Sequence, residues 1–180
     1  MFQDQLKINK ERLPILIGKN GGIKKRVESR TSTKIIIDSK EGDVFIKGED
    51  SYGVYVAKTV ILAVSRGFNP DIALMLTTEE FVLEVINIKD FSGKSKDKER
   101  TSKSRIIGTK GKVKQLLERL TNTDISVYGK TVSIIGKIEN ALMARRAVEM
   151  ILKGSKQGNA YSWLERQNQQ NRELKQTDDS

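Results

Sequence analysis

Ile17-Gly18-Lys19-Asn20-Gly21 recurs as Ile107-Gly108-Thr109-Lys110-Gly111, ninety residues further along the chain. The register holds beyond the glycines. Ile23, Val27 and Glu28 correspond to Val113, Leu117 and Glu118, and Thr31-Ser32-Thr33-Lys34-Ile35-Ile36-Ile37 corresponds to Thr121-Asn122-Thr123-Asp124-Ile125-Ser126-Val127. The offset then slips by two or three residues, as a shortened hairpin and loop would cause. Val44-Phe45-Ile46-Lys47-Gly48 pairs with Val132-Ser133-Ile134-Ile135-Gly136, and Ala57 to Gly67 pairs with Ala144 to Gly154. Solenoid repeats run about 20–50 residues, so a period this long marks a duplicated domain.

Both copies read alike. A β segment (Gln5 to Asn9; Phe81 to Ile88) precedes a helical stretch that ends at the glycine loop. An amphipathic helix follows, Gly22 to Arg30 or Lys112 to Leu120, with apolar residues at helical spacing. Two strands come next: Thr33 to Asp38 with Asp43 to Lys47, and Thr123 to Tyr128 with Thr131 to Ile135, the latter pair joined by Gly129-Lys130 in a tight hairpin. A long helix closes each copy, Ser51 to Arg66 and Ile138 to Lys153, with a glycine beyond it as C-cap. The fold class expected is α+β, β-α-α-β-β-α twice, each with a three-stranded antiparallel-type sheet packed on helices. The boundaries expected are 1–76 for the first domain with its connecting helix (Asn69 as cap, Pro70 in the first turn), 77–154 for the second, 155–166 for a C-terminal helical extension and 167–180 for a disordered polar tail, since Gln167 to Ser180 is Gln/Asn-rich and nearly free of apolar residues.

The two copies differ in charge. Residues 1–90 hold 14 Lys+Arg against 13 Asp+Glu, whereas residues 91–180 hold 19 against 10, so almost all of the net +10 lies in the second half. Phe91 to Gln115 alone has nine basic residues against two acidic ones. Within it lies an insert that the first copy lacks, Ser92 to Thr101, the most basic part of the chain. Such concentration points to a polyanionic partner rather than to lysines scattered for solubility.

Composition narrows the chemistry. There is no Cys and no His, which removes disulfides, thiolate metal sites and the commonest general base. Asp38, Asp43, Glu118 and Asp124 fall at strand ends or on a helix face without forming a metal cluster, so no catalytic residue, metal or cofactor is expected. Met1 to Lys10 has no apolar core like that of a signal peptide, and the apolar run from Thr59 to Val64 is too short to span a bilayer. No membrane association is expected, and a cytoplasmic location is.

The glycine loop suits an anion. A backbone without Cβ at Gly108 and Gly111 can approach a sugar-phosphate chain closely, and the loop opens a helix whose free N–H groups and positive dipole end favour phosphate. Thr109, Lys110, Lys112 and Lys114 surround it, and folding does not require G-x-x-G at a helix–helix junction. Gly18-Lys19-Asn20-Gly21, with Lys24 and Lys25, has the same skeleton without the local charge; it is expected to be either a weaker site for such a chain or a protein-docking surface.

A G-x-x-G between two helices, preceded by Leu16-Ile17 or Ile106-Ile107 and followed by strand, strand and helix, resembles the type I KH domain, twice over. The resemblance implies that about four nucleotides of single-stranded RNA lie across a narrow aliphatic groove. Its floor and walls would come from Ile106, Ile107, Val113, Leu117, Ile125 and Val127, with Arg105 reaching a base edge or a phosphate. Helical and alternating spacing equally suits core positions for these aliphatics.

Arg105 to Lys112, Ile125 to Val132, Ala144 to Ile151, Tyr161 to Glu165, and Gly67-Phe68-Asn69-Pro70 resemble the archaeal counterparts of the eukaryotic Pno/Dim pre-ribosomal KH proteins. That resemblance implies a non-catalytic role in small-subunit ribosome assembly, binding single-stranded rRNA near the 3′ end of the small-subunit rRNA. Implied partners are the PIN-domain nuclease that trims that end and the α subunit of translation initiation factor two. Asn20 stands where such loops often have glycine. Tyr161, Trp163 and Leu164 are expected to form an apolar face packing on the domains. The competing reading is a tandem-KH protein of RNA degradation or mRNA regulation.

Overall fold

The computed structural model describes residues 1–179. They divide into two compact units, one spanning Met1–Leu83 and the other running from Glu84 onward. The division falls inside a strand, seven residues after the expected boundary at 76/77.

The first unit contains β1 (Phe2–Lys7), α1 (Leu13–Ile17), α2 (Gly22–Thr31), β2 (Thr33–Asp38), β3 (Asp43–Gly48), α3 (Ser51–Ser65) and α4 (Pro70–Ala73). The second contains β4 (Phe81–Asn87), α5 (Lys89–Ser92), α6 (Lys96–Ile107), α7 (Lys112–Thr121), β5 (Asp124–Tyr128), β6 (Thr131–Lys137), α8 (Ile138–Leu152) and α9 (Gln157–Asp178), β4 beginning just before the division. The sheet orders are β1-β3-β2 and β4-β6-β5, so each copy is the expected α+β unit with a closing strand pair flanked by helices. β1 lies earlier than expected because β3 supplies partners only from Asp43 to Gly48, which pair with Lys7 back to Phe2.

Alternation builds each core. Ile35, Val44 and Ile46 face Val27 on α2 and Ala57, Val60 and Val64 on α3; in the second unit Ile125, Val132 and Ile134 face Leu117, Ala144, Val148 and Ile151, and all are buried. Each large aliphatic among them contributes about 1.5–3 kcal/mol by leaving water.

The turn into the second strand is built identically twice. Ser32 and Asn122 are left-handed (φ 52 and 50), which lets two buried threonines meet across them: Thr31 with Thr33 at 2.8 Å and Thr121 with Thr123 at 2.7 Å. α3 starts on Asp50, whose carboxylate accepts from the N–H groups of Tyr52 and Gly53. Asn69 caps α4 by accepting from Asp71 N–H at 2.8 Å.

The insert is largely helical: Ser92 ends α5, and Lys96 to Thr101 are the first turns of α6, capped by Ser95, which accepts from Lys98 N–H at 3.2 Å. One expectation needs correction: the helical part does not end at Arg166. α9 runs unbroken to Asp178, because Gln, Glu, Arg and Lys are good helix formers and because polar side chains of the expected tail have tertiary partners. Asn168 donates to the Leu120 carbonyl at 2.9 Å, at the end of α7. Earlier on the same helix Ala160 and Leu164 are fully buried, and Arg146 of α8 stacks 4.9 Å from the ring centre of Trp163. Ser180, the last residue of the expected tail, lies outside the described residues.

Candidate nucleic-acid interface

The two glycine loops have one backbone conformation. Gly18 and Gly108 sit at φ/ψ 73/177 and 72/174, Asn20 and Lys110 at 54/30 and 56/27, Gly21 and Gly111 at 72/14 and 74/13. The asparagine that sets the first loop apart therefore leaves its shape unchanged, since Asn is among the few residues at ease in the left-handed region.

The paired glycines serve different ends. A Cβ on Gly108 would lie 2.9 Å from the Val113 backbone nitrogen and against the Val113 side chain, so this glycine lets the loop close on the first turn of α7. A Cβ on Gly111 would meet nothing nearer than the Gln115 amide nitrogen at 4.0 Å. Gly111 is thus the open face of the loop, favoured as glycine by its φ of 74° and not by any crowding. No side chain caps the amino end of α7, and Thr109, Lys110 and Lys112 around it are exposed. The uncapped helix end and its two lysines are a ready anion site.

Beside the loop the aliphatic residues separate into two groups. Ile106, Leu117 and Ile125 are at most 3% exposed and belong to the core, so they cannot meet a ligand. Ile107 is 37% exposed, and Val113 and Val127 are half-buried. The apolar surface available between α7 and β5 is accordingly narrower than six residues, as spacing reports that a side chain is apolar but not which layer seals it.

Arg105 also departs from expectation. Its guanidinium donates to the carbonyl of Ile151 at 2.8 Å and to that of Ser155, at the end of α8, while its own carbonyl accepts from the Gln157 amide at 3.0 Å. The fork that was expected to face RNA instead ties the helix before the loop to the helix that closes the unit. Arg12 does the same in the first unit, donating to Val64 at 2.8 Å and Phe68 at 2.9 Å.

Glu118 is the residue that sequence reasoning placed on a solvated helix face and that the structure places at the groove. Its Oε1 accepts from Ile125 N–H at 2.9 Å and from Lys114 Nζ at 3.1 Å. Glu28 repeats this with Ile35 N–H at 2.8 Å and Lys24 at 3.1 Å. The matched position of the two glutamates, seven residues before the matched isoleucines, was the available signal. Lys24 and Lys114 are therefore partly neutralised, and Lys110 and Lys112 carry the free charge of the second loop. In the first, Lys19 and Lys25 are exposed, and Arg26 is engaged by Asp71 at 2.9 Å.

Two carboxyls respond oppositely to these surroundings. Burial works against the charge of Glu28, but Ile35 N–H and Lys24 outweigh it and hold its pKa below the ordinary range. Burial pushes the pKa of Asp124 up, and the nearby Glu118 adds to the shift. Asp124 stands where the first copy has Lys34, so the second groove has a reluctant anion at one end.

No group of three or more Asp or Glu among the described residues is placed to hold a metal ion, and no described helix is long and apolar enough to cross a membrane.

The Eukaryotic type KH-domain (KH-domain type I) matches residues 82–169, and the KH domain matches residues 3–63. A KH domain-containing protein of Methanocaldococcus jannaschii is 44% identical over 168 residues, covering 91% of this chain and 73% of that one. The crystal structure of Dim2p from Pyrococcus horikoshii superposes with a TM-score of 0.84 at 40% identity, over 92% of this chain and 99% of that one. The chain belongs to the Pno/Dim family of tandem KH-domain proteins. The pre-rRNA-processing protein PNO1 of Saccharomyces cerevisiae is 29% identical over 141 residues, which are 78% of this chain but 47% of that protein, so the chain spans about half the length of this eukaryotic relative. Dim2p of Pyrococcus horikoshii has also been solved in a complex with a/eIF2alpha and rRNA; that structure matches at 40% identity with a TM-score of 0.85, over 94% of this chain and 95% of that one.

Proposed function

We propose that this protein binds single-stranded rRNA near the 3′ end of the small-subunit rRNA during ribosome assembly, acting in the cytoplasm by binding rather than by catalysis. The contact is made by the second unit: phosphate at the open Gly111 face of the loop with Thr109, Lys110 and Lys112, bases against Ile107, Val113 and Val127. The observation that carries the reading is the Gly108–Gly111 loop itself, an uncapped helix end flanked by free lysines and bordered by a half-buried aliphatic groove. The relative solved with rRNA and a/eIF2alpha supports the same choice of ligand and names the α subunit of translation initiation factor two as a partner class; the PIN-domain nuclease is proposed on the resemblance alone. Loop shape does not set the first unit apart, so its weaker role rests on charge.

Crosslinking in cells followed by sequencing of the bound RNA tests the assignment. A peak at the 3′ end of small-subunit rRNA is the expected result, and peaks dispersed over mRNA would replace it with the mRNA-regulation reading.

A further inference from the structure

The carboxyl end of α6 carries the glycine loop; its amino end carries a second concentration of charge. Lys89 of α5, Lys94 between the helices, Lys96 and Arg100 of α6, and Lys130 of the β5–β6 hairpin converge on a cavity of about 560 Å3. Glu99 is the one carboxylate in the lining, and it is paired with Lys103 at 3.2 Å. Among the described residues the other five cations of the lining make no ion pair. Folding does not bring such groups together for its own benefit: Lys89 and Lys130 lie so close that hydrogen bonding and charge from Lys89 hold the Lys130 pKa below its ordinary value. Two lysines held side by side, with the one nearby carboxylate, Glu99, shared with Lys103, favour an anion between them.

The lining contains no large apolar side chain, whereas protein interfaces centre on buried aromatic and aliphatic anchors. A phosphate backbone needs only mobile cations. The first unit has nothing comparable, since its hairpin is bounded by Asp38 and Asp43 and α1 has five residues against twelve in α6. Arg100 also lines the shallow depression that runs past Ser104 to Gly108 and Thr109, so the cavity and the loop are joined along one face of α6. At 1.5 Å per residue α6 is about 18 Å long, so a strand with roughly four nucleotides seated in the KH groove reaches the cavity only with nucleotides beyond those four.

We propose that the Lys89–Lys94–Lys130 cavity is a second phosphate-binding site that grips the RNA backbone outside the nucleotides held at the glycine loop, with Arg100 on the path between them. The proposal rests on the RNA-binding reading above. It makes the insert an extension of the footprint that reads no base and adds affinity in proportion to RNA length.

The test compares two variants of the full chain, Lys94→Glu with Lys130→Glu and Thr109→Asp with Lys110→Asp, on single-stranded RNA of about four nucleotides and on strands about three times as long, extended in either direction. The cavity variant is expected to leave the short RNA unchanged, to weaken one long RNA about tenfold or more, and to lower its salt dependence by about 0.7 log unit per log unit of salt for each phosphate no longer held. The loop variant is expected to abolish binding of both. Equal binding of the long RNAs by the cavity variant and the native chain would overturn the second site while leaving the loop assignment standing. Equal weakening of short and long RNA would overturn it too, reducing the cavity to a diffuse charge effect. Capture of an acidic protein segment by the cavity, with long-RNA affinity intact, would reassign it to a protein partner. Full binding by the loop variant would remove the reading on which the proposal rests.

Discussion

The carboxylate of Glu118 and the backbone N–H of Ile125 meet at 2.9 Å, so a side chain from α7 satisfies a donor on β5, one of the two outer strands of the order β4-β6-β5. Edge strands expose such groups to chance pairing, and a helix carboxylate closes this one. Glu118→Ala leaves the donor unpaired and should cost about 1–3 kcal/mol. In a domain of this size that lowers Tm by roughly 4–8 °C per kcal/mol, readable by calorimetry. Glu118→Gln keeps an acceptor for Ile125 and should cost distinctly less. Equal losses would assign the effect to the Lys114 ion pair instead.

The glycines of the second loop should separate in the same measurement. Gly111→Ala meets only the backbone penalty of the left-handed region, about 1–2 kcal/mol. Gly108→Ala adds a Cβ 2.9 Å from Val113 nitrogen and should lower Tm further. A smaller effect at Gly108 would mean that the loop and α7 move apart without cost.

Thr109→Asp with Lys110→Asp is expected to abolish RNA binding while moving stability by no more than about 0.5 kcal/mol, because both side chains are exposed. Lys110→Asn is the more instructive change. Lys110 holds φ 56, a conformation that Asn20 adopts in the other loop at less cost. The substitution should raise stability by a few tenths of a kcal/mol and weaken RNA binding, the opposed signature of strain kept at a site for its charge. Thermal unfolding and fluorescence anisotropy on one protein sample read both.

Asp124 supplies a pH dependence. A carboxyl whose pKa is raised on folding favours the folded state while protonated, below its unfolded value, and that contribution is lost as pH rises through the folded value. Burial and then Glu118 raise Asp124. Asp124→Asn, which resembles the protonated form, should therefore be more stable than the native chain at neutral pH, with the difference closing in acid. It should also bind RNA more tightly at neutral pH, by removing an anion from the groove. Glu28 has the reverse sign: its contribution is present above the unfolded pKa and lost as pH falls through the depressed folded value. No gain from Asp124→Asn at neutral pH would show that Asp124 is solvated in solution.

The duplication was legible because glycines with matching aliphatic neighbours report on backbone shape, which both copies share to within a few degrees. Layer was not legible. Ile106 and Ile107 are adjacent and alike in chemistry, yet one is sealed and the other 37% exposed, a difference decided by the sheet beneath the helix and not by period. The length of α9 was hidden for a related reason. Gln167 to Asp178 has few apolar residues to announce a packed helix, and what holds its start is a polar contact, Asn168 to the Leu120 carbonyl, between residues 48 apart. Charge, by contrast, was visible as a total in the insert, and only the helical turn from Lys96 onward shows which lysines it gathers.

Arg12 and Arg105 hold the carbonyls of Val64 with Phe68 and of Ile151 with Ser155, positions that match at a common offset of 87 residues. The arginines themselves do not match: in the register of the glycine loops Arg12 falls opposite Ser102, and Arg105 opposite Ile15. A comparison of the halves by letters alone would score a loss where there is a relocation. Exchanging residues 13–17 with 103–107 letter for letter in that register would leave α8 without its clasp and α3 with two claimants, so the unit of exchange between the copies is the whole segment ahead of the loop.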